Sequence, residues 1–184
     1  MLRYAITDPA YYTDDPTLFA DRVARMLLSH RPDMVCFRDK RTGRYETVAE
    51  AFLSLKERFP KTLFLLHGDP ALAVSLRADG VHLPSDGAGR IEEAKRAGLF
   101  CIVSTHSLEE AAACEALGAD AVTFSPVFAS PGKGEPQGLE KLKEIKDKIS
   151  LKTIALGGIV TREQIEAVEE AGADGFASIR YFVP

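Results

Sequence analysis

The chain is 184 residues long, with 46% hydrophobic and 27% charged residues, enough for one well-filled core and too little for two ordinary domains; residues 1–184 are expected to form a single domain. A formal net charge of -4 gives no overall attraction for nucleic acid or anionic lipid, so a phosphate-bearing partner has to be a small molecule held locally. The three cysteines, Cys36, Cys101 and Cys114, have no Cys-x-x-Cys spacing, and no apolar run approaches the roughly 20 residues that cross a bilayer, which points to a reduced, cytoplasmic protein with no membrane part.

Leu2–Thr7 reads as a first strand, turned by Asp8-Pro9 into a loop ahead of a helical pattern over Leu18–Leu28. Met34–Phe37 is a second strand, followed by Arg38-Asp39-Lys40 and a helix from Val48 to Phe59. Thr62–Leu66 is the third strand; Asp69 and Pro70 then start the helix Ala71–Arg77. Gly80–Leu83 and the helix Ile91–Ala97 form the fourth unit. Phe100–Val103 is the fifth strand, after which Ser107 caps Leu108–Leu117 through Glu110. Ala121–Phe124 precedes a long loop and the helix Leu139–Ile149. Thr153–Leu156 leads through Gly157-Gly158 to Thr161, which with Gln164 has capping-box spacing ahead of the helix Glu163–Ala171, and Gly175–Ile179 is the eighth strand.

Three helix ends echo one another: Ala-Asp79-Gly80, Gly118-Ala-Asp120 and Gly172-Ala-Asp174, with Gly118 and Gly172 suited to left-handed caps. Eight strands alternating with helices predict a (β/α)8 TIM barrel. Only Arg180-Tyr-Phe-Val-Pro184 follows strand eight, so the last helix is truncated or missing. A second subunit or an N-terminal segment is expected to cover the wall left open, which makes a homodimer the expected assembly.

In such a barrel the residues just after each strand share one face. Here they include Arg38 and Lys40, His67, Ser104 and His106, Ser130 and Lys133, Gly157 and Gly158, and Ser178 and Arg180. Cations, hydroxyls and glycine amides converging on one mouth suit an anionic ligand, most simply a phosphate monoester. Arg38-Asp39-Lys40 is either a structural Arg–Asp pair with a free lysine or two cations reaching for phosphate; with Lys133 nearby the second is favoured. His67 and His106 sit at strand ends, where each either moves a proton near neutral pH or only hydrogen-bonds the loop backbone; His82 inside strand four reads as structural, and His30 as a favourable charge at a helix end. No Cys/His spacing indicates zinc, and neither a Gly-x-Gly-x-x-Gly following a strand nor a Gly-x-Ser-x-Gly elbow is present.

Taken together, Tyr4-Ala-Ile-Thr-Asp8, Phe37-Arg-Asp-Lys40, Gly80-Val-His-Leu83, Ser104-Thr-His-Ser107, Pro126-Val-Phe128 through Lys133 and Ala155-Leu-Gly-Gly-Ile159 resemble the thiamin phosphate synthase and TenI family over nearly the whole chain. The resemblance implies a barrel that binds thiazole phosphate at Gly157, Gly158 and Ser178. In the synthase it further implies a pyrimidine diphosphate held by Arg38, Lys40, Lys133 and magnesium. At the positions of two metal-binding aspartates of the synthase this chain has Gly68 and Gly87, with Asp69 and Asp86 one residue away. Glycine offers no side-chain oxygen to a hard cation.

Both departures resemble the TenI branch, a thiazole tautomerase that moves a proton and needs no metal. The histidine that branch uses after strand six is Pro126 here. The expectation is therefore a TenI-like, metal-independent thiazole tautomerase with His67 as the proton shuttle, His106 in reserve, and Ser104 and Ser130 among the substrate-binding groups. A synthase joining pyrimidine diphosphate to thiazole phosphate is the alternative, and a non-catalytic phosphate-ligand-binding regulator a further one. No cofactor is expected, and magnesium only for the synthase.

Overall fold

A computed structural model describes residues 1–39 and 43–183. Its strands are β1 (Leu2–Ile6), β2 (Met34–Phe37), β3 (Leu63–His67), β4 (Gly80–Leu83), β5 (Phe100–Thr105), β6 (Ala121–Phe124), β7 (Lys152–Leu156) and β8 (Gly175–Ser178). They close into one parallel barrel in sequence order, β8 pairing β1 through Leu2 opposite Gly175 and Ala5 opposite Ser178. The helices are α1 (Pro16–His30), α2 (Tyr45–Leu53), α3 (Pro70–Ser75), α4 (Ile91–Arg96), α5 (Leu108–Ala116), α6 (Gly138–Lys148) and α7 (Arg162–Glu170). The second helix stops six residues short of the expected Phe59, its end tightening into the 3-10 turn Lys56–Arg58.

Side chains alternate across each strand, so the same runs feed two cores. Tyr4, Met34, Cys36, Leu65, Ile102 and Ile154 point inward and fill the barrel. Val35, Phe64, Val81, Val103, Val122 and Phe176 point outward against the helices. Each fully buried aliphatic side chain contributes about 1.5–3 kcal/mol.

The echoed aspartates do one job at three helix-to-strand joints. Asp79, Asp120 and Asp174 accept from the amide of the second residue of the preceding strand, at Phe64, Cys101 and Thr153, at 2.7 to 2.8 Å. Each also takes a lysine from the helical segment that precedes that strand, Lys56, Lys95 and Lys146, at 2.6 Å. Asp33 bonds the Arg3 amide in the same way at 2.7 Å. These clamps set strand register at the bottom of the barrel and leave the top to the loops. The expected caps form as well: Asp69 on α3, Ser107 on α5, and the Thr161–Gln164 capping box on α7.

Beyond β8 the chain turns through Arg180–Phe182, and this 3-10 turn packs on the outer face of β8. Phe182 is buried, stacked on Phe176 with ring centres 5.7 Å apart, and the Arg3 guanidinium lies over its ring at 5.9 Å. His30 packs edge-on against Phe182 at 5.5 Å. Burial, with Arg3 adding to it, holds the His30 imidazole below its usual pKa, and the ring packs against Tyr181 and Phe182 at the end of α1. None of the helices among the described residues is long and apolar enough to cross a membrane.

Candidate active site at the mouth of the barrel

Arg38, His67, Ser104, His106, Ser130, Lys133 and Gly157, all selected from the sequence, line one cavity of about 320 Å³ at the C-terminal ends of the strands. Lys40 lies outside the described residues. Arg38 is half-buried and pairs with Asp8, the residue two beyond β1, at 2.9 Å, and not with its neighbour in sequence. One N–H of its five is spent there, and the fork keeps donors for a ligand.

The two cavity histidines of β4 and β5 differ in chemistry. His82 is buried with both ring nitrogens bonded, Nδ1 at 2.9 Å from the Tyr4 hydroxyl and Nε2 at 3.0 Å from Ser104 Oγ. Burial above all, then His67 and Arg38, pushes its pKa down to about 3, so the ring is neutral. His106 has Nδ1 at 2.7 Å from the Ser125 carbonyl, which can only accept. The ring proton therefore sits on Nδ1, and Nε2 carries the lone pair of a base. His67 faces the same cavity, its ring 5.6 Å from that of His82.

A second cavity of about 380 Å³ adjoins the first, sharing Ser130, Leu156, Gly157 and Ile179 with it. Gly158, Ser178 and Arg180 belong to this one. Among the described residues no acceptor takes the amides of Gly157, Gly158 or Ile159 on the β7 side, or of Ile179 or Arg180 on the β8 side. Unpaired amides and an arginine around one hollow make an anion cradle. The Ser178 hydroxyl donates to the Ile159 carbonyl at 2.7 Å and accepts from the Tyr181 amide at 3.2 Å, so its hydrogen is committed within the protein.

The paired glycines serve a further purpose. At φ +99° and +72°, Gly157 and Gly158 adopt backbone that side chains avoid. A Cβ on Gly157 would lie 2.7 Å from Pro126 Cα, and one on Gly158 2.5 Å from the Ala129 carbonyl oxygen. The space they leave is filled by the loop after β6, tied down by Val127 N–H to Leu156 O and Phe128 N–H to Gly157 O. That docking carries Ser130 and Lys133 into the mouth.

The carboxylates near the mouth do not assemble a metal site. Asp69 caps α3 and pairs with Arg90 at 3.2 Å, Asp8 pairs with Arg38, and Asp86 is exposed on the 3-10 turn Ser85–Arg90, outside both cavities. Among the described residues no group of three His, Cys, Asp or Glu could hold an ion. The side chains present do not fit a protein-held magnesium.

The family described as thiamine monophosphate synthase matches residues 3–182. The chain belongs to this family. It is 36% identical to a putative thiamine-phosphate synthase 2 of Aquifex aeolicus, over 98% of this chain and 96% of that one. It is 34% identical to a thiamine-phosphate synthase of Methanosarcina barkeri, over 79% and 68%. Among solved structures it resembles a thiamine phosphate pyrophosphorylase from Pyrococcus furiosus, with a TM-score of 0.82, 27% identity, and 97% and 85% of the two chains covered. Two features of this thiamine monophosphate synthase family member were not singled out from the sequence, the Asp8 partner of Arg38 and the double engagement of His82, whereas Arg180, read from the sequence among the mouth residues, lines the second cavity. Both depend on pairings across the barrel.

Proposed function

We propose that the protein is a thiamine-phosphate synthase that joins a pyrimidine diphosphate to a thiazole phosphate and releases diphosphate. The observation that carries this reading is the pair of adjoining hollows, each with its own cation, meeting at Ser130 and Gly157. A one-substrate isomerase needs a single phosphate cradle; a two-substrate transfer needs two, placed so that the reacting atoms meet between them. Gly157, Gly158 and Arg180 hold the monoester, while Arg38, Lys133 and Ser104 take the charge that grows on the departing diphosphate. The likeness to proteins named thiamine-phosphate synthase supports the same reading.

A second reading, the TenI-like tautomerase, is favoured by His106, which lines the first cavity and whose tautomer is set by the Ser125 carbonyl. On that reading His106 is the base. One assay separates them. Purified protein is given both substrates, with and without magnesium, and separately the thiazole phosphate tautomer. Thiamine phosphate should form, and Arg38→Ala should slow its formation about 100-fold. Aromatisation of the tautomer without thiamine phosphate in the first assay would overturn the synthase in favour of the isomerase; binding of both ligands without turnover would leave a non-catalytic binding protein.

A further inference from the structure

The inward face of the barrel is apolar through most of its depth, yet a polar chain crosses it from β1 to β5: Tyr4, His82 and Ser104. Tyr4 is fully buried and His82 nearly so. Polar groups in such a lining cost free energy that leucine or valine would not, unless every donor meets an acceptor.

Counting protons leaves two arrangements. In the first, the Tyr4 hydroxyl donates to His82 Nδ1, His82 Nε2–H donates to Ser104 Oγ, and the Ser104 hydrogen is left for the cavity. In the second, Ser104 donates to Nε2 and Nδ1–H donates to Tyr4, whose own hydrogen then has only the Cys36 thiol, a weak acceptor, to turn to. A buried donor so poorly matched costs about 1–3 kcal/mol, which selects the first. The charged and titratable groups around the ring are Tyr4 of β1, Cys36 and Arg38 on and just past β2, and His67 at the end of β3. The last two disfavour a second proton on it, and burial does so more strongly.

We infer that Tyr4 and His82 are positioning residues that hold Ser104 as a hydrogen-bond donor into the mouth, its oxygen fixed by His82 Nε2–H and its hydrogen turned to an acceptor-only oxygen of a bound diphosphate. The ligand half rests on the synthase reading of the mouth; the tautomer half does not. Because the ring is neutral, Ser104 donates at every working pH, unlike a group steered by a titrating histidine.

The test uses the full chain labelled with 15N-histidine. His82 should show the Nε2–H tautomer and no titration between about pH 5 and 8. Tyr4→Phe, which keeps the ring's volume, should weaken inorganic pyrophosphate binding about tenfold, as should Ser104→Ala. The double variant should lose no more than either alone, because both remove one constraint. An Nδ1–H tautomer in the unaltered protein, unchanged binding in Tyr4→Phe, or losses that multiply to about 100-fold would each overturn the inference. If the unaltered chain does not bind pyrophosphate, the diphosphate reading falls and the ligand half with it, while the tautomer spectrum still decides whether His82 directs the Ser104 hydrogen.

Discussion

Ser178 and Arg180 lie two residues apart at the end of β8 and divide the work of one cavity. The Ser178 hydroxyl ties the Ile159 carbonyl to the start of the Arg180–Phe182 turn, whereas the exposed guanidinium of Arg180 lines the hollow. Arg180→Ala is expected to weaken thiazole phosphate binding about tenfold by calorimetry, with the loss shrinking at high salt because the contact lies at a solvent-facing rim. Ser178→Ala should instead lower the melting temperature with a smaller change in affinity. The residue types at the mouth were legible in the sequence, since barrel topology alone sends strand ends to one face. Which of them keeps a free donor was not, because that depends on partners such as Ile159 and Asp8 that approach from other strands.

At the scale of elements, the unit after β7 is the most informative. Its cap at Thr161 and Gln164 is written in four consecutive residues, as are the Asp69 and Ser107 caps, because capping is a local exchange between a side chain and nearby amides. The paired glycines carry a second, non-local meaning: they make room for the backbone of the loop after β6. Gly158→Ala is expected to cost about 2 kcal/mol or more, combining left-handed strain with a clash against the Ala129 carbonyl. Loosening of that loop should appear as faster tryptic cleavage at Lys133, and unaltered stability and cleavage would show that the loop does not depend on the glycine. The early stop of α2 is likewise non-local, since Lys56 in the following turn bonds the Arg77 carbonyl and Asp79.

For the whole molecule, His82 links fold to pH. Its folded pKa of about 3 lies below its ordinary 6.5, so between those values the unfolded chain takes up a proton that the barrel refuses. Stability is then retained above pH 6.5 and falls as pH drops toward 3, at up to about 1.4 kcal/mol per pH unit from this group. Denaturant unfolding at several values from about pH 5 to 7 should give a steeper loss for the unaltered chain than for His82→Gln; parallel slopes would show that the ring is protonated in the folded state.

The eightfold alternation, the helix caps and the rim of cations and hydroxyls were all determined by the amino-acid sequence, because each rests on periodicity or on contacts a few residues apart. Only the closed barrel decided that Tyr4 meets His82, that Arg38 turns to Asp8, and that two hollows share one wall. Those pairings join residues tens of positions apart, and which of them form depends on strand register and on how the ring closes between β8 and β1.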